Sequence, residues 1–164
     1  MPREVDLFFF RDEEVPMWEE SPNGGIWIIK VRKDDNIDLM WEKLLFALIG
    51  EQFEEPKVIG AGLSLRTKER LLEVWLKDGR NEKLRTNVSH KLSTILDLNP
   101  EEVTFYYKEH QKSIKDKSTM KNAEGFKFMK DHQKDHPKHP HGSGNKDKKQ
   151  AQEKASTKKE QPQY

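Results

Sequence analysis

The sequence predicts an α+β domain in which helices cover one face of a mostly antiparallel β-sheet. Three observations support this fold class. Short segments with alternating apolar residues recur along the first 130 residues, which is typical of strands. Two longer segments repeat their apolar residues every three or four positions, which indicates amphipathic helices. Since these helices recur between the strands, they must pack on one face of the sheet and form a second layer.

The predicted strands begin close to the amino terminus. Residues Val5–Phe10 form an apolar run rich in β-forming side chains, and prolines and glycines mark residues 11–25 as a loop. Alternation over Ile26–Arg32 predicts a half-buried strand. Residues Val103–Tyr107 alternate in the same way, and we expect one last short strand at residues 126–128.

A β-hairpin is predicted between the two helical segments. The strand Val58–Arg66 has one face of larger side chains and one face of small ones. The larger set is Ile59, Ala61, Leu63 and Leu65, and the small set is Gly60, Gly62 and Ser64. Thr67–Arg70 forms a charged turn, and Leu71–Leu76 returns as the second strand.

The two helical segments span Asn36–Phe53 and Asn81–Leu98. Their apolar stripes are Trp41, Leu44, Leu45 and Leu48 in the first helix and Leu84, Val88, Leu92 and Ile95 in the second. The first helix has a second apolar face, formed by Phe46, Ile49 and Phe53. That face is either a docking groove for a partner helix or is covered by another element of the domain.

Composition excludes several classes of protein. The 164 residues include no cysteine, which excludes a disulfide scaffold, a thiol nucleophile and a cysteine-ligated metal site. No apolar stretch approaches about 18 residues, so we expect no membrane span. A net charge of +1 argues against binding of duplex DNA through bulk charge. We expect neither catalysis nor a cofactor, because no nucleophile–base set and no glycine-rich phosphate loop is visible.

The residues after Lys130 differ from the rest of the chain. They are rich in lysine, histidine and glutamine and contain few apolar side chains. Such a segment cannot bury enough apolar surface to offset the cost of ordering. We therefore expect a folded domain over residues 1–130 and a disordered tail over residues 131–164. The tail histidines are either weak metal ligands or solvated side chains. They are His132, His136, His139 and His141.

A tryptophan beside a carboxylate is the leading candidate for ligand recognition. Trp18 and Glu19 lie in the loop between the first two predicted strands. An indole stacks on a base, and a carboxylate can accept both N1–H and N2–H of guanine. Guanine methylated at N7 is cationic and gains a cation–π attraction. The pair suits a methylated purine; alternatively, the tryptophan packs on the core and the carboxylate lies in water.

Two basic clusters are candidates for phosphate contacts. The first consists of Arg66, Lys68 and Arg70 at the hairpin turn, and the second of Lys112, Lys115, Lys117 and Lys121. Arginine suits phosphate because its guanidinium binds in bidentate fashion. The alternatives are a charged turn that keeps the strand end soluble and a solvated loop over residues 109–124. Ser118 in that predicted loop is a candidate for phosphorylation.

Four blocks of the sequence carry a family resemblance. They are PMWEE at Pro16–Glu20, NGGIWII at Asn23–Ile29, WEKLLFALIGEQF at Trp41–Phe53, and the stretch from Gly60-Ala61 through Arg66 to Trp75. Together they resemble the cap-binding translation initiation factor 4E family. Trp41–Phe53 with Tyr107–His110 is most similar to the 4E-homologous-protein branch, whereas Ser118-Thr119 is more similar to the general initiation factors. The branch stays open.

The resemblance implies an α+β fold with a curved, mostly antiparallel β-sheet, helices on its convex face and a cap pocket on its concave face. It also implies that the chain lacks the first strands of the family fold and the second aromatic of the cap sandwich. The implied function is binding of the 7-methylguanosine cap of messenger RNA in translation initiation or its regulation. The implied partners are capped RNA and scaffold or repressor proteins with a 4E-binding helix. The implied location is the cytoplasm and, in addition, the nucleus.

The resemblance also implies the cap-binding residues. They are Trp18, Glu19, Trp75, Arg66 and Lys115. Trp18 would stack on the methylated base, and Glu19 would accept its N1–H and N2–H. Trp75 would contact the methyl group, while Arg66, with Lys115 as a weaker candidate, would hold the phosphates.

On the helix side, Phe46, Ile49 and Gly50 match the surface that binds the helical motif of partner proteins. Ser118 matches a regulatory phosphorylation site. Two other interpretations stay open. The chain is an interaction module or translational repressor that uses this helix face without binding cap, or it is a fragment that does not fold stably.

Overall fold

A computed structural model describes residues 4–31, 36–98 and 104–126 of the chain. The central element of these residues is an antiparallel β-sheet. Its strands within these ranges are β1 (Val5–Phe10), β2 (Gly25–Val31), β3 (Val58–Leu65), β4 (Arg70–Leu76), β5 (Phe105–Glu109) and β6 (Glu124–Phe126). Their order across the sheet is β1-β3-β4-β2-β5-β6. The helices are α1 (Ile37–Ile49), α2 (Glu82–Ile95) and α3 (His110–Asp116), and Trp18–Glu20 forms a single 3-10 turn.

Two helices pack on one face of the sheet, here called the helical face. Each begins at an asparagine whose side chain caps the first turn: Asn36 accepts the N–H of Leu39, and Asn81 accepts that of Leu84. Below them lies the larger apolar cluster of the molecule. It includes Met40, Leu44 and Leu48 from α1, Val88 and Leu92 from α2, and Trp27, Leu63, Leu72 and Val74 from the sheet. The predicted two-layer α+β fold is confirmed.

The opposite face, here called the front face, carries a second buried cluster. It consists of Ile26, Ile28, Ile59, Leu71 and Trp75, against which Phe10, Trp18, Tyr106, Met120 and Ala123 pack. Because β2 lies between β4 and β5 and contributes to both clusters, it is buried on both sides except at Lys30. The prediction of a half-buried strand is therefore wrong for β2.

The predicted hairpin is β3–β4, paired from Leu65 opposite Arg70 to Gly60 opposite Trp75. A register shift between Val58 and Gly60 interrupts the alternation of β3. Such a bulge reverses the direction of the side chain that it contains. Ile59 accordingly packs on the front face, and the prediction that it shares a face with Ala61, Leu63 and Leu65 is wrong.

The helix α1 is shorter than the predicted segment Asn36–Phe53. It ends at Ile49, and Glu51 then takes a left-handed backbone conformation with φ 54°. That change turns Phe53 into the larger core cluster, where it is fully buried. Phe53 therefore does not belong to the exposed apolar face predicted with Phe46 and Ile49.

The predicted loop over residues 109–124 contains α3, so that prediction is also wrong. The buried side chains of α3 are His110 and Ser113. Since both are polar, the apolar periodicity that marks a helix is absent from this segment. The helix ends at Lys117, whose backbone is left-handed.

Several predictions concern parts of the chain outside the described residues. They are the disordered tail over residues 131–164, the end of the second strand at Arg32 and the proposed strand position Phe128. Within the described ranges, every helix is too short or too polar to cross a membrane.

Candidate functional site

Trp18 and Glu19 lie on the 3-10 turn that precedes β2. Trp18 packs against the front-face cluster, and its indole N–H is buried without a hydrogen-bond partner among the described residues. Glu19 points toward solvent, with half of its side chain exposed. Its Oε1 lies 3.9 Å from Nζ of Lys117. The structure thus combines an indole, a carboxylate and a flexible cation at one edge of the front face.

His110 at the start of α3 connects this turn to the centre of the sheet. Its Nδ1 donates to the carbonyl of Ser21 at 2.6 Å, and its backbone N–H donates to the carbonyl of Gly24 at 3.0 Å. The imidazole lies 5.0 Å from the Trp75 ring, centroid to centroid. Burial lowers the pKa of His110, so the neutral ring is favoured. The neutral imidazole fixes the distance between the turn and Trp75.

Trp75 lies at the centre of the front face and is only 3% exposed. Phe10 meets its ring edge-on at a centroid distance of 5.3 Å, and Phe8 does so at 6.4 Å. The Phe8 ring is itself 44% exposed. Trp75 is therefore a rigid part of the floor of this face, and Phe8 is an aromatic surface above it.

A carboxylate that the sequence analysis missed lies beside Trp75. Glu73 is buried, and its Oε2 accepts the Trp75 indole N–H at 3.0 Å. Its Oε1 accepts the hydroxyl of Ser64 at 3.5 Å. Burial raises the pKa of Glu73 to about 7. The sequence held one signal: Leu71, Glu73 and Trp75 share one face of a strand, so an acid stands between two apolar positions of that face.

Arg66 directly follows β3, whereas Gly60, the residue paired with Trp75, lies near the start of that strand. It donates to Asp6 at 2.7 Å and to the carbonyl of Val5 at 3.3 Å, which attaches it to the edge strand β1. The hydrogen bond from Arg66 holds the pKa of the Asp6 carboxyl below its usual range. Six residues separate Arg66 from Gly60, the partner of Trp75, which corresponds to about 20 Å of strand. The structure therefore does not bring Arg66 and Trp75 into contact.

The basic segment after β5 is held in place by one buried lysine. Nζ of Lys108 donates to both carboxylate oxygens of Asp116 at 2.8 and 2.9 Å and to the carbonyl of Ser118 at 2.6 Å. It also donates to the carbonyl of Lys121. Lys115 is exposed on the last turn of α3. The predicted basic flap is thus a short helix and turn tied to the sheet.

Ser118 lies in that turn and is partly exposed. Its N–H donates to Asp116, and its hydroxyl accepts the N–H of Lys121 at 3.1 Å. Its role as a regulatory site stays a prediction.

The predicted partner-binding residues lie on α1, away from the front face. Phe46 is 60% exposed and Ile49 is 64% exposed. Leu39, about two helical turns before Phe46, is also exposed. Gly50 closes the helix with an N–H bond to the carbonyl of Phe46. No other element in the described part of the chain covers these side chains. Of the two alternatives, this favours a docking surface for a partner over coverage by another element of the domain.

No group of three or more side chains suited to a metal ion occurs within the described ranges.

Comparison with known proteins places this arrangement in a family. The family model described as eukaryotic initiation factor 4E matches residues 1–125. The chain belongs to the eukaryotic initiation factor 4E family. The resemblance inferred from the four sequence blocks is thereby confirmed.

Several relatives support this assignment over part of their length. The initiation factor NCBP of Arabidopsis thaliana is 34% identical over 126 residues, which cover 75% of this chain and 56% of the relative. The human initiation factor 4E type 1B is 33% identical over 124 residues, which cover 71% and 51%. The chain therefore spans about half the length of the curated 4E relatives that it matches.

Solved structures of 4E proteins share the fold. The Caenorhabditis elegans eIF4E-3 in complex with the 4E-binding protein Mextli and a cap analogue matches with a TM-score of 0.62 and 29% identity, covering 67% of this chain and 65% of that one. A schistosome eIF4E complexed with m7GpppA and 4E-BP matches with a TM-score of 0.61 and 27% identity, covering 71% and 64%. The antiparallel sheet with helices is thus the 4E fold.

Proposed function

We propose that this chain binds the 7-methylguanosine cap of messenger RNA on its front face, in translation initiation or its regulation. The observation that carries the proposal is the turn Trp18–Glu20, which holds an indole and an exposed carboxylate at the edge of that face, 3.9 Å from a lysine. Membership of the 4E family supports it, as do the neighbouring structures that contain cap analogues. The proposed role is binding rather than catalysis.

The turn supplies the recognition of the base. The Glu19 carboxylate accepts N1–H and N2–H of guanine, and the Trp18 ring stacks on the base. Stacking contributes about 1–3 kcal/mol, and the positive charge of the methylated ring adds a cation–π attraction of roughly 0.5–2 kcal/mol. Selectivity for the methylated base follows, because the unmethylated ring lacks the charge.

Cations on two sides of the front face would hold the phosphates. Lys115 is on the last turn of α3, and Lys117, the residue after that helix, lies 3.9 Å from Glu19. Arg66 lies on the other side and would have to exchange Asp6 for a phosphate oxygen. We therefore assign the stronger phosphate contact to the α3 side.

The test is a change of Glu19 with its neighbour as control. We expect Glu19→Gln to reduce the preference for 7-methyl-GTP over GTP by at least about tenfold, because the negative charge that attracts the cationic methylated ring is lost. Glu20→Gln changes the same charge one residue later on the same turn and should keep the preference. Titration followed by indole fluorescence measures both. Equal preferences for the parent chain and Glu19→Gln would contradict the assigned role.

A second candidate function rests on the exposed face of α1. We propose that Phe46 and Ile49 bind an amphipathic helix of a scaffold or repressor protein, as two large apolar side chains exposed one turn apart suit such a partner. A translational repressor would use this face without binding cap. The neighbouring eIF4E structures contain 4E-binding proteins. A cytoplasmic protein with an additional nuclear pool is the proposed setting.

The test of this second function uses a helical 4E-binding peptide. Phe46→Ala should weaken peptide binding by about tenfold or more, whereas Lys83→Ala, an exposed lysine on α2, should change it little. Surface plasmon resonance measures both. Unchanged peptide affinity in Phe46→Ala would contradict the proposal.

A further inference from the structure

The front face contains a buried carboxylate that the proposed cap contacts leave unused. Glu73 is 3% exposed and lies on β4 two residues before Trp75. Its hydrogen-bond partners among the described residues are the Trp75 indole N–H and the Ser64 hydroxyl, both neutral. A buried charge whose hydrogen bonds come only from neutral groups is costly, and here Arg66 adds a smaller electrostatic attraction. The site therefore holds a negative charge whose stability depends on what binds nearby.

The surroundings of Glu73 are closely packed. A side-chain carbon added at Gly62 would lie 2.9 Å from the Phe8 ring and 3.1 Å from Oε2 of Glu73. The glycine thus makes room for both the ring and the carboxylate. Because Phe8 closes the space above Gly62, little solvent reaches the carboxylate.

The indole connects this charge to the binding face. Trp75 donates its N–H to the carboxylate, and its ring is the group assigned to the methyl side of the base. A carboxylate on the indole N–H increases the electron density of the ring, and its own charge acts through a medium of low dielectric constant. Both effects favour a cationic ring over a neutral one on the front face near Trp75, whose own ring is buried.

We propose that Glu73 is a positioning residue for selectivity: through the indole of Trp75, its buried carboxylate stabilises a cationic, N7-methylated purine on the front face relative to its neutral analogue. This inference rests on the proposed cap-binding function and adds a residue to it. Glu73 itself does not touch the ligand.

The proposal has a pH signature. The charged groups near Glu73 are Asp6 from β1 and Arg66 from the end of β3, while the titratable but neutral His110 of α3 lies beyond the indole. The residue opposite it on β2 is the uncharged Ile28. Since burial raises the pKa of Glu73 to about 7, a rise from pH 6 to pH 8 should ionise the group and increase the difference in preference for 7-methyl-GTP between the parent chain and Glu73→Gln.

Isothermal titration calorimetry with 7-methyl-GTP and GTP at pH 6, 7 and 8 tests this. At pH 8 we expect Glu73→Gln to reduce the preference for 7-methyl-GTP about tenfold, the effect of a unit charge at about 8 Å and an effective dielectric constant of about 30. At pH 6 the reduction should be small. The 7-methylguanine ring also loses a proton near neutral pH. The quantity to compare is therefore the preference for 7-methyl-GTP over GTP of the parent chain and of the variant, measured at the same pH. Glu54→Gln, which removes an exposed carboxylate beside Lys91, is the charge-matched control and should equal the parent.

The outcomes separate the two proposals. If the parent chain prefers 7-methyl-GTP and Glu73→Gln has the same preference at every pH, the role of Glu73 is overturned and cap binding stands. If the folded parent binds neither ligand, both proposals are overturned. Should Glu73→Gln fail to fold, Glu73→Met removes the same charge at similar volume, and the same reduction is expected.

Discussion

Two buried charges on the front face differ in how the protein compensates them. Lys108 is 1% exposed, and its ammonium donates to the carboxylate of Asp116 and to the carbonyls of Ser118 and Lys121. Glu73 is 3% exposed and has two neutral donors. A buried charge paired with an opposite charge fixes structure, whereas one that has only neutral hydrogen-bond partners responds more to pH and to a bound ion. Lys108 therefore acts as a structural clamp at the α3 end of this face, whereas Glu73, at the centre of the face on β4, is a charge that responds to pH.

The clamp explains why a polar segment forms an ordered helix. The apolar surface that α3 buries is small, because its buried residues are His110 and Ser113. Lys108 instead gathers the carbonyls and the carboxylate that end the helix and its following turn. The position of Lys115 and Lys117 relative to Glu19 therefore depends on this clamp together with the hydrogen bonds of His110 to Ser21 and Gly24.

The largest effect is expected from breaking the clamp. Lys108→Met removes the buried cation that donates to Asp116 and to two carbonyls, and we expect a loss of about 3 kcal/mol in the free energy of unfolding. Lys112→Met, which removes an exposed lysine of the same segment, should cost less than about 1 kcal/mol. Urea unfolding followed by far-ultraviolet dichroism measures both. A Lys108→Met chain as stable as the Lys112→Met control would show that the clamp contributes little.

A smaller and pH-dependent effect is expected at Glu73. Its pKa rises from about 4.5 in the unfolded chain to about 7 on folding, so the folded state binds more protons between these values. The free energy of unfolding of the parent should therefore fall, relative to that of Glu73→Gln, by up to about 3 kcal/mol from pH 4.5 to pH 8. The parent–variant difference removes the opposite contribution of His110, whose pKa is lowered. A difference that does not change with pH would mean that Glu73 is not a responsive charge.

The sequence predicts the helices and strands in which apolar side chains recur with one unbroken period. The hairpin, the two asparagine-capped helices and the two-layer class are of this kind. It fails where the phase breaks, as at Ile59 in the bulge, and where the buried side of a helix is polar, as in α3.

The candidate site was also only partly predictable from the sequence. Trp18 and Glu19 are visible as an adjacent indole and acid, and the family resemblance predicts cap-binding roles for them. The partners of Glu73 and Lys108 are tertiary contacts: Ser64 lies on another strand, and Asp116 lies beyond a helix that the sequence does not mark. Composition and spacing cannot distinguish a buried charge from a solvated one in these segments.

The measurement that tests the central claim most directly is a fluorescence titration of the purified chain with 7-methyl-GTP and with GTP. Cooperative thermal unfolding by dichroism establishes first that the chain is folded. Cap binding on the front face predicts saturable quenching of indole emission by 7-methyl-GTP at concentrations at least about tenfold lower than those needed with GTP. A folded chain that shows the same response to both nucleotides, or none to either, would contradict it and favour the interaction surface on α1.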